Sequence, residues 1–367
     1  MLLIALASAS PALASDPPIT ATILCYHVVE SPRDTRFSIS QETFREQLRY
    51  LETAGYSVIP LPDLHDYISG KRDSIPEHSV VITVDDGWRC TYDKIYPELK
   101  AFGYPFTVFI YPKFIGMGSY ALTREQVREM DEDGVDVQSH SLSHLFLSRR
   151  MHRSWDGARY GQWLRAELKD SKKKIEKMTG KPVRFLAYPY GDFDGNVAAE
   201  AAEAGYDGAL TCEFGSVTRG TNPLQLNRII IDVNTSLDQF RRHLGAAPLE
   251  LVEKTPQREL DPRRPLIAAK IANPEQLDPN SVGIALLSLG RTPYSYDPNS
   301  GEISFVVREP LSANRQRAVV WGVDKVSGKR YETIWTFYLD RSAAKSDPVA
   351  SRKPKRDASA TVVGGGF

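Results

Sequence analysis

The chain has 367 residues, 41% hydrophobic and 25% charged, an ordinary globular composition with enough apolar material for one large domain and a small one. Its 46 basic and 46 acidic residues cancel, which gives no support to a nucleic-acid partner, whose binding wants a basic face. Three cysteines, Cys25, Cys90 and Cys212, exclude a disulfide framework; without CxxC spacing the expectation for them is buried, inert thiols rather than metal ligands.

Residues 1–15, MLLIALASASPALAS, have the outline of a secretory signal peptide without its charged n-region. No other stretch approaches about 18 consecutive apolar residues, so no membrane span is expected and the protein is read as exported, periplasmic or extracellular. From residue 19 strands and helices alternate. Residues 21–26 suit a strand, residues 40–54 an amphipathic helix with Phe44, Leu48 and Leu51 on one face, residues 57–60 a short strand and residues 61–69 a brief helix. Val80 to Val84 is a run of apolar or β-branched residues, fit for a strand buried on both faces, and it ends at Asp85, Asp86 and Gly87. A helix over residues 95–102, a strand over 106–110, and a helix opened by a Thr123/Gln126 capping box and ended by Gly134 follow.

The strand expected at residues 135–139 delivers His140-Ser-Leu-Ser-His144. A long helix at 162–178 with Trp163, Leu164, Leu168, Ile175 and Met178 inward precedes a strand at 184–188 that ends in Tyr188-Pro189-Tyr190-Gly191. An Ala-rich helix to Ala204, strands at 208–212 and 226–231 and a helix from Ser236 complete the pattern. Regular alternation predicts a parallel sheet, and seven or so units predict an α/β fold closed into a distorted (β/α) barrel over residues 16–245. Residues 246–281 hold six prolines and many charges and read as a linker. Residues 282–341 read as a small all-β, sandwich-like domain, with the turns PNSG and VSGK as hairpins. Its Trp321, Trp335 and Phe337 either stack on sugar rings, which would make this domain a glycan or partner contact, or form its core. The polar, Gly-rich tail at 342–367 is expected to be disordered.

Three strand ends carry the chemistry. Adjacent Asp85 and Asp86 point to opposite sides of their strand, so one can face a metal and the other the substrate. His140 and His144, four apart, can converge on one ion, and two imidazoles with one carboxylate leave coordination positions open, as catalytic rather than structural metal sites do. Taken singly, each motif also fits a plain Asp-Gly turn or a surface histidine pair.

In this order and at these separations, VDDG, HSxxH and YPYG resemble the polysaccharide deacetylases with the NodB homology fold (carbohydrate esterase family 4), and the resemblance spans roughly residues 20 to 245. It implies Asp85 as general base, Asp86, His140 and His144 as ligands of a divalent metal, and the backbone N–H of Tyr190 as an oxyanion donor. Zinc is the default, and nickel, cobalt or iron also suit the donor set. Two positions depart from the family pattern. Ala187 stands where an arginine commonly orients the base; Arg228 could reach that place from a neighbouring strand, or sit in a structural ion pair, while Arg184 would point away. The family's acid histidine has only His243 as a C-terminal counterpart, within a helix, whereas His27 directly follows the first strand in LCYHVV. That placement resembles the circularly permuted, exported branch acting on poly-β-1,6-N-acetylglucosamine and implies His27 as the general acid; the alternative is a core histidine. The expected function is a metal-dependent N-deacetylase of such a polysaccharide. The alternatives are a peptidoglycan or chitin-like glycan as substrate, or a carbohydrate-binding matrix scaffold whose barrel has lost activity.

Overall fold

The computed structural model describes residues 19–30, 36–148, 152, 154–245, 247–257, 259–311 and 315–339. The expected leader and the expected disordered tail lie outside the described residues. The chain divides between Pro248 and Leu249 into two compact units. No helix among the described residues is long and apolar enough to cross a membrane.

In the first unit the strands Thr20–Tyr26, Ser79–Val84, Phe106–Ile110, Asp136–Ser139, Phe185–Ala187 and Gly208–Leu210 lie side by side in that order, each parallel to the next. The helices Gln41–Thr53, Leu61–Ile68, Tyr96–Ala101, Arg124–Glu132, Gly157–Thr179 and Gly195–Glu203 make the crossovers that parallel pairing requires. Their starts are set locally: Ser40 Oγ accepts from Thr43 N, and Thr123 with Gln126 closes the reciprocal capping box. The long helix starts five residues before the expected 162 because Asp156 caps it at Arg159 N. The strand expected at 226–231 splits, which curls the sheet toward closure. Leu226 bonds to Ala209 and Thr211 at one edge, while Ile229 and Ile230 pair with Leu24 and Cys25 at the other.

Side chains alternate between the two faces of this sheet. Leu24, Tyr26, Val80, Ile82, Val84 and Val108 share a core with the flanking helices, whereas Ala21, Ile23, Val81, Phe109, Phe185 and Leu210 fill the inner face. The helix Leu61–Ile68 stops the inner face at the strand starts, where Tyr67 Oη donates to Ile19 O and His65 Nε2 bonds Asp207 O. The opposite end, where the strands finish, is left to the functional residues.

In the second unit one sheet runs Leu251–Thr255, Leu266–Ile271, Glu302–Val306, Ser295–Tyr296, and the other runs Arg330–Leu339, Arg315–Val323, Gly283–Leu286. Ile267, Ile271, Ile303 and Phe305 of the first pack with Ile284, Val320, Trp335 and Phe337 of the second in one core, as in a sandwich. One expectation is corrected and one pair of alternatives is decided for two residues. Residues 246–281 are not a linker: they contribute Leu251–Thr255, Glu259–Leu260 and Leu266–Ile271. Pro256, Pro262 and Pro265 fall between these strands and Pro274 after the last, where proline interrupts no pairing, and the buried alternation of Ile267, Ala269 and Ile271 is the strand signal that the prolines mask. Trp335 and Phe337 are wholly buried, the Trp335 indole donating to Pro256 O, so neither can stack on a sugar.

Candidate active site

The ladder register brings the strand ends together. Cys25 is level with Thr83, Tyr26 with Val84, Val84 with Val108 and Ile110 with Ser139. The ladder continues past the last strand residues through Asp85 N to Tyr26 O, His140 N to Ile110 O and Tyr188 N to Leu210 O. His27, Asp85, Asp86, His140 and Tyr190 therefore all follow strand C-termini on one face of the curled sheet, where parallel barrels place their chemistry.

Asp85 continues the odd-numbered inner face of its strand, after Val81 and Thr83. It is 1% exposed and meets wholly buried Arg228 in a two-pronged pair, Nη1 to Oδ1 at 2.8 Å and Nη2 to Oδ2 at 2.8 Å. Arg228 is itself fixed by donation from Nε to Thr211 O at 2.9 Å. Burial alone would raise the Asp85 carboxyl, but Arg228, and then His140, hold it at about 2. Arg228, just before the strand Ile229–Ile230, thus reaches the Asp85 carboxylate, which Ala187 has no side-chain donor to do. Arg184 turns outward to Asp207.

Asp86 points the other way. The chain turns there through left-handed backbone, φ 78° at Asp86 and 84° at Gly87. A Cβ at Gly87 would come within 3.0 Å of Ile115 Cδ1, so the DDG turn needs glycine both for its φ and for its space. Trp88 Nε1 donates to Asp86 Oδ2 at 2.9 Å, which leaves Oδ1 aimed at the histidines, 3.2 Å from His144 Nε2 and 3.6 Å from His140 Nε2. His140 Nδ1 donates to Ala187 O at 2.7 Å, since a carbonyl only accepts, and this fixes the tautomer with a lone pair on Nε2. Burial pushes His140 down to about 4 against the attraction of Asp85, so the ring is neutral near pH 7. Burial also opposes the charge on Asp86, yet His144, His27 and His140 hold its carboxyl below the usual range.

Asp86, His140 and His144 offer ligand atoms all within 4.8 Å of one another. Asp86 Oδ1 is buried and takes no hydrogen bond despite its two close imidazole neighbours. One carboxylate oxygen and two imidazole nitrogens crowded without hydrogen bonding fit a divalent cation. Backbone strain gathers at the same place: Asp86, Ser141, His144 and Tyr190, four of the six non-glycine residues with positive φ among the described residues, belong to the three motifs.

Tyr190 is 41% exposed; its ring stacks on Phe146 at 4.1 Å and meets His144 edge-on at 4.5 Å. A Cβ at Gly191 would lie 2.7 Å from Cys212 N, so this turn too needs glycine. His27 reaches the site: its Nδ1 is 3.9 Å from Cys25 Sγ, its ring stacks on Phe37, and its charge lowers both Asp85 and Asp86. His243 stays on the helix Leu237–Gly245, packed against Phe214. All three cysteines are free.

Several supporting residues escaped the sequence reading. Glu167, buried on the long helix, accepts from Leu142 N at 3.2 Å, Ser143 N at 3.0 Å and Ser143 Oγ at 2.6 Å, and so clamps the turn between the histidines. Ser171, one turn further along, donates to Ser141 O. The available signal was a glutamate and a serine on the same stripe as Leu164, Leu168 and Ile175, where a helix presents its apolar face.

Known proteins share part of this chain's sequence and its fold. The family model described as polysaccharide deacetylase matches residues 72–209. The Bacillus subtilis (strain 168) protein YxkH is 28% identical over 231 residues, 63% of this chain and 78% of that protein. The Escherichia coli (strain K12) poly-beta-1,6-N-acetyl-D-glucosamine N-deacetylase is 25% identical over 267 residues, 64% of this chain and 39% of that protein. Among solved structures, the Streptococcus pyogenes deacetylase PplD has a TM-score of 0.55 at 24% identity over 62% of this chain and 99% of its own, and IcaB from Ammonifex degensii a TM-score of 0.54 at 23% over 62% and 98%. At such identities the structural likeness speaks to the fold, which is the curled parallel sheet described above. The family match runs from just before the DDG strand, through the HSLSH and YPYG turns, to the strand Gly208–Leu210, and over that segment the chain carries a polysaccharide deacetylase domain, the domain of a family of hydrolases.

Proposed function

We propose that this chain is a metal-dependent N-deacetylase that removes acetyl groups from an N-acetylglucosamine polymer outside the cytoplasm, with poly-β-1,6-N-acetylglucosamine as the favoured substrate. The observation that carries the reading is the Asp86–His140–His144 cluster lying against an Arg228-clamped Asp85. The polymer is suggested by His27 after the first strand and by relatives named for that activity. Export is suggested by the leader pattern of residues 1–15.

A divalent ion held by Asp86, His140 and His144, zinc first and nickel, cobalt or iron as alternatives, would polarise the acetyl carbonyl and bring the pKa of water down toward about 7. Asp85 accepts the proton of the attacking water. Held against its burial at about 2 by Arg228 and His140, the carboxyl is ionised near neutral pH and has a lone pair for that proton. Arg228 keeps both Asp85 oxygens in place through the step. The backbone N–H of Tyr190 donates to the carbonyl oxygen as negative charge develops there. His27 supplies the proton that the leaving nitrogen needs when the C–N bond breaks, giving acetate and a free amine. The exposed ring of Tyr190, stacked on half-buried Phe146, offers a face for a sugar.

The test is acetate release from β-1,6- and β-1,4-linked N-acetylglucosamine polymers with added metal. Release from the β-1,6 polymer alone is expected. Preference for the β-1,4 polymer would move the substrate to chitin-like or peptidoglycan chains. Binding without release from any glycan would show a scaffold.

A further inference from the structure

Cys25, His27 and Asp85 make a second set of ligand atoms beside the first, all within 4.8 Å of one another. The set is a product of parity and register. Ala21 and Ile23 lie on the inner face of the first strand, Val81 on that of its neighbour, and the pairing of Cys25 with Thr83 sets the next inner positions side by side, Asp85 beside His27 and Cys25 two residues back on the same face. The Cys25 thiol donates toward Asp85 Oδ2 at 3.5 Å and lies 3.9 Å from His27 Nδ1.

We propose that Cys25, His27 and Asp85 form a second, inhibitory site for a thiophilic divalent cation. The donor set is sulfur, nitrogen and oxygen, against one oxygen and two nitrogens at Asp86, His140 and His144. Thiolate selects soft or borderline ions such as Cd²⁺ and Zn²⁺ over Mg²⁺ or Mn²⁺. On binding, the S–H bond of Cys25 breaks, its proton leaves to solvent, and the sulfur–metal bond takes its place. Asp85 Oδ2 gives a lone pair while Arg228 remains on the carboxylate. Burial pushes the free Cys25 thiol well up, so the sulfur is protonated until the metal arrives; once bound, thiolate and carboxylate against one guanidinium set one net negative charge against the dication. The absence of CxxC spacing does not bear on this site, because it is assembled across two strands rather than along one.

The inhibitory part rests on the roles proposed above for His27 and Asp85: a cation held here occupies the proton donor and the proton acceptor together. Excess of the metal that supports turnover at the first site would then stop it at the second.

The experiment titrates metal-stripped protein carrying Cys90→Ser and Cys212→Ser with cadmium chloride alone, following bound cadmium by equilibrium dialysis and the ultraviolet thiolate-to-cadmium charge-transfer band. Two ions per chain are expected, with the band rising only with the second. In Cys25→Ser on the same background one ion and no band are expected. Loss of a partner outside a metal's ligand set already weakens binding by about 10–100-fold, so loss of the thiolate itself should exceed that. Should Cys25→Ser fail to fold, His27→Gln serves, with the band retained but the second affinity lowered. One ion per chain and no Cys25-dependent band overturns the proposal. Deacetylation is read in parallel on the same protein first loaded with one equivalent of zinc. Inhibition that tracks the band supports both readings, whereas a second ion that binds with its band and leaves turnover intact upholds the site and removes His27 and Asp85 from the chemistry.

Discussion

Replacing Arg228 by methionine tests the centre of the structure without needing a substrate. Methionine keeps much of the side-chain length but leaves Asp85, 1% exposed, with no guanidinium on its two oxygens. Removing one member of a buried ion pair costs about 3–5 kcal/mol, because the remaining charge has lost both water and partner. A second route to the magnitude is the carboxyl itself. Its value of about 2 against an ordinary 3.8 corresponds to roughly 2–3 kcal/mol of folding stability. That contribution is fully present above the ordinary value and is lost as pH falls toward 2, since the folded-state value is the depressed one. In the variant, burial pushes Asp85 upward, so the carboxyl takes up a proton at higher pH and the deficit shrinks on acidification. Denaturant unfolding of metal-stripped protein at about pH 7 and about pH 4 measures both effects. The expected result is a loss of about 3 kcal/mol or more near neutrality that narrows in acid, with most of it recovered when Asp85→Asn is added. A loss below about 1 kcal/mol at both pH values would refute the claim that this pair is a desolvated clamp.

The ligand division predicts that His144→Ala loses most bound metal by elemental analysis. Asp85→Asn should keep its metal while turnover falls by roughly 10² or more; metal lost from Asp85→Asn would mean that the two aspartates have exchanged roles. His27→Ala should abolish most turnover with metal retained while His243→Ala keeps it, and the reverse pattern sinks the assignment of the acid. Glu167→Ala should lower metal affinity by about 10–100-fold with the fold intact by circular dichroism, because the turn carrying His144 loses three of its hydrogen bonds; unchanged affinity would make Glu167 a packing residue only.

The strands, the helices and the three motifs were legible in the chain because their signals act over a few residues. The apolar run of Val80 to Val84, the Ser40 and Thr123 caps and the glycines after Asp86 and Tyr190 decide their own conformation, and regular alternation leaves a parallel sheet as the way to pair the strands. The strands of residues 246–281 were hidden by the prolines between them, although Ile267, Ala269 and Ile271 carry the alternation. What the tertiary structure alone decided are contacts between positions that no local pattern links. Asp85 and Arg228 are 143 residues apart and meet because the sheet curls until the stretch after Leu226 reaches the first strand. Glu167 reaches the histidine turn because the long helix packs beneath it, and Cys25, His27 and Asp85 meet on one face because of one strand register. Local chemistry names the residues that can react, but the distances between them follow from register and closure, which are properties of the whole sheet.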